Sequence, residues 1–199
     1  RCTWAVVSHL FLEKCQGHED YPDRKWLRRD PATNIDENPL WYGRDIVKRL
    51  LRNPIFEIGC HSFSHALFNE IGEDQARYEL LKSEQLVQEL DPTLKLKAFV
   101  FPRNRVGHRQ LLSEFGYKAY RSEKATSKSL TRFVDYVFPT DVRVSAYAPK
   151  PETPRVDEYG LVEIPGSLFL SNAGILKFVS DMPPRNFFRF KIRKGLEKL

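Results

Sequence analysis

Short apolar segments that alternate with helical segments are the feature that most constrains the fold of this 199-residue chain. Strands separated by helices build βα units, whose strands lie parallel in one sheet. The pattern therefore predicts the α/β class with a mainly parallel sheet, and it places functional side chains at the carboxyl ends of the strands. We predict strands at residues 3–7, 55–60, 96–101, 117–120, 142–146 and 161–164.

The helices between these strands are predicted from end signals and apolar stripes. Asn38 suits an N-cap and Pro39 suits the first helical position, so one helix should begin there. Gly116 suits the C-cap of another helix. The connection over residues 14–38 is longer than most loops that have no function. We predict helices at residues 39–53, 73–90, 107–115 and 185–199.

The net charge of +6 is concentrated at one end of the chain. Residues 185–199 hold six basic groups and one acidic group, so the other 184 residues carry a net charge of only +1. This distribution speaks against a nucleic-acid partner and favours a solvated helix face, although binding of an anionic polymer through this helix stays open. No apolar stretch reaches the length of roughly 18 residues that a membrane-spanning helix needs.

The three cysteines, Cys2, Cys15 and Cys60, show no metal-ligand spacing and are interpreted as structural thiols. An odd number of cysteines favours a reducing compartment, and no signal peptide is visible. Both features favour the cytoplasm, but the localisation stays unknown. The chain begins with Arg1, which indicates processing or a fragment. Nothing in the sequence indicates an oligomeric state.

Two histidines follow the predicted strand at residues 55–60. If the chain turns helically after this strand, His61 and His65 lie on one face. Two imidazoles at that spacing can hold one zinc ion, although a histidine pair with no metal is also compatible with the pattern. A catalytic zinc site usually has three protein ligands, and only two are evident here.

The other histidines and one nearby acid are weaker candidates. His9 follows the first strand, and His18 and Asp20 lie in the long loop. For these three residues a role without metal is favoured. His108 is expected to lie on a helix and to be solvated.

The next strand ends in Phe101, Pro102, Arg103 and Asn104. This places an arginine and an amide at the same edge of the sheet as the histidine pair. The arginine, the amide or their backbone N–H groups could hold an anionic or carbonyl oxygen. An exposed loop arginine without function is the alternative.

The chain resembles the polysaccharide deacetylases of carbohydrate esterase family 4. The resemblance rests on CTWAVVSHLF at residues 2–11, IGCHSFSH at 58–65, AFVFPRN at 98–104 and LVEIPGS at 161–167. LWYGRDIV at 40–47 is similar to the branch encoded with surface-polysaccharide genes. The His-x-x-x-His element is the most specific part of the match.

The resemblance implies a partial, irregular (β/α) barrel and a single domain over residues 1–199 that is incomplete at both ends. It also implies an N-deacetylase that acts on an N-acetylated glycan with a divalent metal, zinc, held by His61, His65 and an aspartate. The metal would polarise the acetamide carbonyl and activate water. The base aspartate and the acid histidine are expected outside this chain, so no catalytic residue lies in it and the fragment should be inactive. A non-catalytic carbohydrate-binding relative is the rival interpretation.

The resemblance further implies that Phe101, Pro102, Arg103 and Asn104 form a wall of the sugar site. Many members of the family read Arg-Pro-Pro-Tyr in this motif. Here Val100 stands in the place of that arginine, and Arg103 stands in the place of the tyrosine. Arg103 would then supply the backbone N–H that faces the oxyanion. No arginine that orients the base is assigned.

Overall fold

A parallel sheet with helices between its strands organises the chain. The structure, a computed structural model, describes residues 2–17, 20–23, 32–122 and 153–165. Within these residues the sheet has six strands in the order β1-β2-β3-β4-β6-β5. The first four strands pair in parallel, and β5 and β6 form an antiparallel hairpin. The strands are β1 Cys2–Val6, β2 Phe56–Cys60, β3 Ala98–Val100, β4 Ala119–Ser122, β5 Arg155–Val156 and β6 Val162–Pro165.

Each of three helices connects two neighbouring parallel strands. Because such crossovers are right-handed, a strand order that advances from β1 to β4 places every helix on the same face of the sheet. This singly wound arrangement is the one that builds a (β/α) barrel. The predicted fold class, mixed α/β with a mostly parallel sheet, is therefore confirmed. The helices are α1 Arg44–Leu51, α2 Glu73–Leu90 and α3 Arg109–Glu114, with 3-10 turns at Ser8–Phe11, Pro39–Trp41 and Pro102–Asn104.

The hydrophobic core lies between the sheet and these helices. Phe99 and Tyr120, on adjacent strands, are buried in one cluster with Leu80 of α2 and Leu111 of α3. Successive strand residues point to opposite faces. Val100 and Arg121, which pair across β3 and β4, therefore face away from the helices and are half-buried. The face of the sheet that has no helices therefore carries Val100 and Arg121, which lie at or next to the carboxyl ends of β3 and β4.

Most predicted elements are present, and α2 has the predicted bounds. The prediction that α1 begins at Pro39 is wrong. Residues 39–41 form a single 3-10 turn, Tyr42 is extended, and α1 begins at Arg44. The Gly43 N–H donates to the Leu10 carbonyl (2.9 Å), and the Asn38 amide donates to Thr33 (3.0 Å) instead of capping a helix.

The end of α3 confirms the predicted glycine cap. Gly116 has φ +80°, and its N–H donates to the Ser113 carbonyl (3.0 Å), while the Tyr117 N–H donates to Leu112 (3.0 Å). These two bonds define a Schellman motif. The helix begins at Arg109, two residues later than predicted, because His108 is left-handed with φ 50°.

Of the remaining sequence predictions, some concern residues that the structure describes and others concern residues outside that part of the chain. The short strand β5 has no counterpart in the predictions, because two exposed residues carry no periodicity. The predicted strand at residues 142–146 and the basic helix at 185–199 lie outside the described residues. Cys15 and Cys60 are buried, Cys2 is exposed, and none of these three described cysteines forms a disulfide.

The elements named above belong, apart from the last residue of β6, to one compact unit of Arg1–Ser122 and Pro154–Ile164. The single domain over residues 1–199 stays a prediction. In the part of the chain that the structure describes, no helix is both long enough and apolar enough to cross a membrane.

Candidate functional site

His61 lies at the carboxyl end of β2 with its ring held in a defined orientation. Its backbone N–H donates to the Val6 carbonyl (3.0 Å), which continues the β1–β2 pairing. Its ring Nδ1 lies 2.5 Å from the Val100 carbonyl at the end of β3. Because a carbonyl only accepts, Nδ1 carries the proton and Nε2 keeps its lone pair when the ring is neutral. A histidine that ligates a metal usually donates its other ring N–H to a carbonyl or carboxylate in this way.

The imidazole ring of His65 packs against that of His61. The ring centroids of His61 and His65 are 4.9 Å apart, with the planes at 74°. Burial lowers the pKa of both histidines below the ordinary 6.5. The positive charge of Arg103 lowers the pKa of His65 further, and that of Arg121 contributes at His61. Both imidazoles are therefore neutral, as ligation requires.

The two histidines come together without a helix, so the helical turn that the sequence argument gave as a condition does not form. The histidine loop, residues 61–65, is irregular, and two of its residues are left-handed, Ser62 with φ 63° and His65 with φ 64°. On the β1 side, the Ser8 N–H donates to the Ser62 carbonyl (2.9 Å) and the His9 N–H to Phe63 (3.0 Å). These bonds support the loop in a conformation that L residues rarely adopt.

Glu79 of α2 supports the same loop from the opposite side, and the sequence interpretation missed it. Its side chain is fully buried. The carboxylate accepts the backbone N–H groups of Phe63 (2.7 Å) and Ser64 (2.8 Å), and also the Ser64 hydroxyl (2.5 Å). Its position in α2 could have indicated that it is buried, because residue 79 lies on the same helix face as the buried Ala76 and Ser83.

Tyr21, from the long loop, completes the surroundings of Glu79. Its hydroxyl donates to the Glu79 carboxylate (2.5 Å) and accepts from Gln75 Nε2 (2.9 Å). Burial and the adjacent Glu79 charge raise the pKa of Tyr21. Nearby, the Tyr78 hydroxyl donates to Asp20 (2.8 Å), so that candidate acid binds a phenol at the surface. His18 lies outside the described residues.

The four residues after β3 differ in where their side chains lie. Phe101 is 1% exposed and packs on Phe68, Phe99 and Tyr120, at centroid distances of 4.8–5.7 Å. Pro102 is also buried. Arg103 is exposed, and Asn104 is half-buried. Of the predicted sugar wall, Arg103 and Asn104 can present side chains to a ligand, while Phe101 and Pro102 support them from the core.

The other described histidines have structural surroundings. His9 is 7% exposed, and its ring lies 5.6 Å from that of Phe63 and 6.1 Å from that of Tyr42. His108 is half-buried, and its Nε2 lies 2.8 Å from the Ile71 carbonyl. The expectation that His108 is a solvated helical residue is therefore wrong, because it precedes α3 and bonds to the loop before α2.

The His61–His65 pair fits a divalent cation in donor chemistry. Both rings are neutral, and His61 presents an unprotonated Nε2. Within the described residues, no group of three or more His, Cys, Asp or Glu side chains is arranged to hold a metal. A catalytic zinc site usually has three protein ligands, and the described residues would offer two of them at this pair.

Comparison with known families connects this geometry to one of them. Residues 26–120, just under half of the chain, match the family model described as polysaccharide deacetylase. A polysaccharide deacetylase domain is thus recognised over residues 26–120. The matched segment contains the histidine loop, Glu79 and the turn after β3, whereas Tyr21 and the residues after β1 precede it.

Solved structures give weaker likenesses to this domain. One is a GH57-type branching enzyme from the hyperthermophilic archaeon Pyrococcus horikoshii, with 15% identity and TM-score 0.42, covering 74% of this chain and 30% of that one. Another is Puue allantoinase, with 13% identity and TM-score 0.42, covering 81% and 48%. The chain thus spans about a third and about half of these two structures. No curated protein matches the chain.

Proposed function

We propose that this chain is part of a metal-dependent hydrolase that removes N-acetyl groups from amino sugars of a glycan and releases acetate. The family match supports carbohydrate deacetylase activity. The observation that carries the metal dependence is the His61–His65 pair, two neutral imidazoles with ring centroids 4.9 Å apart at the carboxyl edge of the sheet. Zinc is the cation we expect, because it favours nitrogen ligands.

The residues of this chain have separate tasks in the proposed reaction. His61 and His65 would hold the cation, which when bound would polarise the acetamide carbonyl and lower the pKa of water toward neutrality. The Val100 carbonyl fixes the tautomer of His61. Arg103, an exposed cation whose charge acts on His65, would bind an oxygen atom of the glycan.

Titration with Zn²⁺ tests the metal assignment. We expect the 199-residue chain to bind one Zn²⁺, measured by isothermal titration calorimetry. His61→Ala and His65→Ala should each lower the affinity more than about 100-fold, because even loss of an outer partner costs about 10- to 100-fold.

His108→Ala is the matched control, since the ring of His108 bonds to a carbonyl away from the pair. Its Zn²⁺ affinity should equal that of the wild type. Unchanged affinity in His61→Ala and His65→Ala would show that the site is misassigned.

A further inference from the structure

The histidine loop depends on one buried acidic side chain for much of its hydrogen bonding. Glu79 is fully buried, and its two carboxylate oxygens accept four hydrogen bonds. Two of the donors are backbone N–H groups inside the loop, at Phe63 and Ser64. A carboxylate that accepts several such bonds holds them strongly, because charge-assisted hydrogen bonds are shorter and stronger than neutral ones.

The bonds to Glu79 lie between the two histidines in the sequence. Phe63 and Ser64 are the residues that bend the chain so that His65 returns to His61. The neighbouring left-handed residues, Ser62 and His65, are unfavourable unless the surroundings hold them in place. On one side of this short segment, its carbonyls accept hydrogen bonds from the residues after β1. On the other side, its N–H groups donate to Glu79 of α2. The segment is therefore held from both sides.

The surroundings of Glu79 exclude two simpler roles. Both oxygens are occupied by donors, so Glu79 is not arranged as a third metal ligand. Among the described residues no Lys or Arg side chain forms an ion pair with it, since the ion pairs found there join other residues. Within the described part of the chain, its carboxylate is therefore surrounded only by neutral donors and is not half of a salt bridge.

We propose that Glu79 is the positioning residue of the site: through the Phe63 and Ser64 N–H groups its buried carboxylate holds the histidine loop in the conformation that brings His61 and His65 together. The link to metal affinity rests on the proposed function, whereas the control of the loop conformation does not. A buried negative charge beside the pair would also favour a cation there over an empty site.

Glu79→Gln is the central variant, because it keeps the size of the side chain but removes the charge and turns an amide NH₂ toward groups that donate. In the metal-free chain, hydrogen exchange at the Phe63 and Ser64 amides should accelerate at least about tenfold. Zn²⁺ affinity should fall about 10- to 100-fold, as for other residues that orient metal ligands. Glu89→Gln, on an exposed position of the same helix, is the matched control and should change neither quantity.

Two milder variants keep the test valid if Glu79→Gln does not fold. Tyr21→Phe removes one donor to Glu79 and leaves both loop N–H bonds, whereas Ser64→Ala removes a donor inside the loop. We expect a smaller loss of Zn²⁺ affinity in each, with the larger loss for Ser64→Ala. Wild-type exchange rates and Zn²⁺ affinity in all three variants would overturn the proposal.

The two readouts separate this proposal from the proposed function. Faster exchange at Phe63 and Ser64 in a chain that binds no Zn²⁺ would support the control of the loop by Glu79 and contradict the metal site. Lower Zn²⁺ affinity with unchanged exchange at these two amides would overturn the positioning role and leave the metal site in place.

Discussion

The two loops at the carboxyl edge of the sheet are built in opposite ways. The histidine loop after β2 has its backbone N–H groups bonded to a buried carboxylate and its carbonyls bonded to the segment after β1. The turn after β3, residues 101–108, is anchored by a buried aromatic ring and a proline, while Arg103 extends into solvent. Bonds to a buried carboxylate distinguish the first loop, in which Phe63 is also buried. The second loop rests mainly on apolar packing, with a bond from the His108 ring to the Ile71 carbonyl.

This difference fits a division of tasks at the site. Residues that hold a cation need fixed positions, and buried charge-assisted bonds provide them. A residue that contacts a large polar ligand benefits from an exposed head group on a buried base, and Arg103 is exposed beside the buried Phe101 and Pro102. The second loop also packs on the chain that follows the histidine loop, where Gly107 lies against the backbone of Phe68.

The largest effect should come from the contact between the second loop and the segment that follows the histidine loop. A Cβ at Gly107 would lie 2.2 Å from the Phe68 carbonyl oxygen, so the backbone has to move. We expect Gly107→Ala to lower the free energy of unfolding by about 3 kcal/mol, measured by urea denaturation. Gly72→Ala is the control, since a Cβ there meets nothing within 4 Å. Equal stabilities of the two variants would mean that the second loop is not packed tightly against this segment.

An intermediate effect should appear with pH, and of the two loops it should act through the histidine loop. The pKa values of His61 and His65 in the folded chain lie below 6.5, the ordinary value. The unfolded chain therefore binds more protons in this range, and stability rises with pH there. As pH falls below 6.5, the metal-free chain should lose stability through these two histidines.

Unfolding free energies measured at pH 7.5 and pH 5.5 check this expectation. The double variant His61→Gln with His65→Gln should show a smaller difference between the two pH values than the wild type. An unchanged difference would show that the loop histidines are not held in their neutral form.

The smallest effect on stability should follow a change in the exposed part of the second loop. Arg103→Gln should change the free energy of unfolding by no more than about 0.5 kcal/mol, because its side chain is exposed and forms no ion pair within the described residues. Removing a positive charge beside His65 should raise Zn²⁺ affinity by less than about tenfold, since salt screens exposed charges.

The same variant should bind N-acetylglucosamine oligomers more weakly than the wild type, as measured by calorimetry. Glycan affinity equal to that of the wild type would remove Arg103 from the proposed sugar site. Unfolding of the variant would show that the second loop relies on polar bonds after all.

The two loops also differ in how far the sequence could predict them. The strand ends and the four-residue spacing placed His61 and His65 at one edge of the sheet. Their approach does not use the helical turn that the spacing suggested as a condition, because periodicity cannot reveal a loop whose left-handed residues depend on distant partners. In the second loop, the apolar run correctly predicted a strand. Its period of two puts Phe101 on the same face as the buried Phe99, whereas the sequence interpretation assigned Phe101 to the sugar wall.

Local pattern by itself determined the order of strands and helices, the glycine cap of α3 and the position of the histidine pair along the chain. These features follow from residues that are neighbours in the sequence and from the periods of 2 and 3.6 that they obey. Only the tertiary structure decided that Glu79, Tyr21 and the Val100 carbonyl surround the pair, because those contacts join residues 15 to 58 positions apart. Buried polar bonds of this kind form only after the sheet and α2 have packed, which is why the position of Glu79 in the sequence hints at burial but not at its partners.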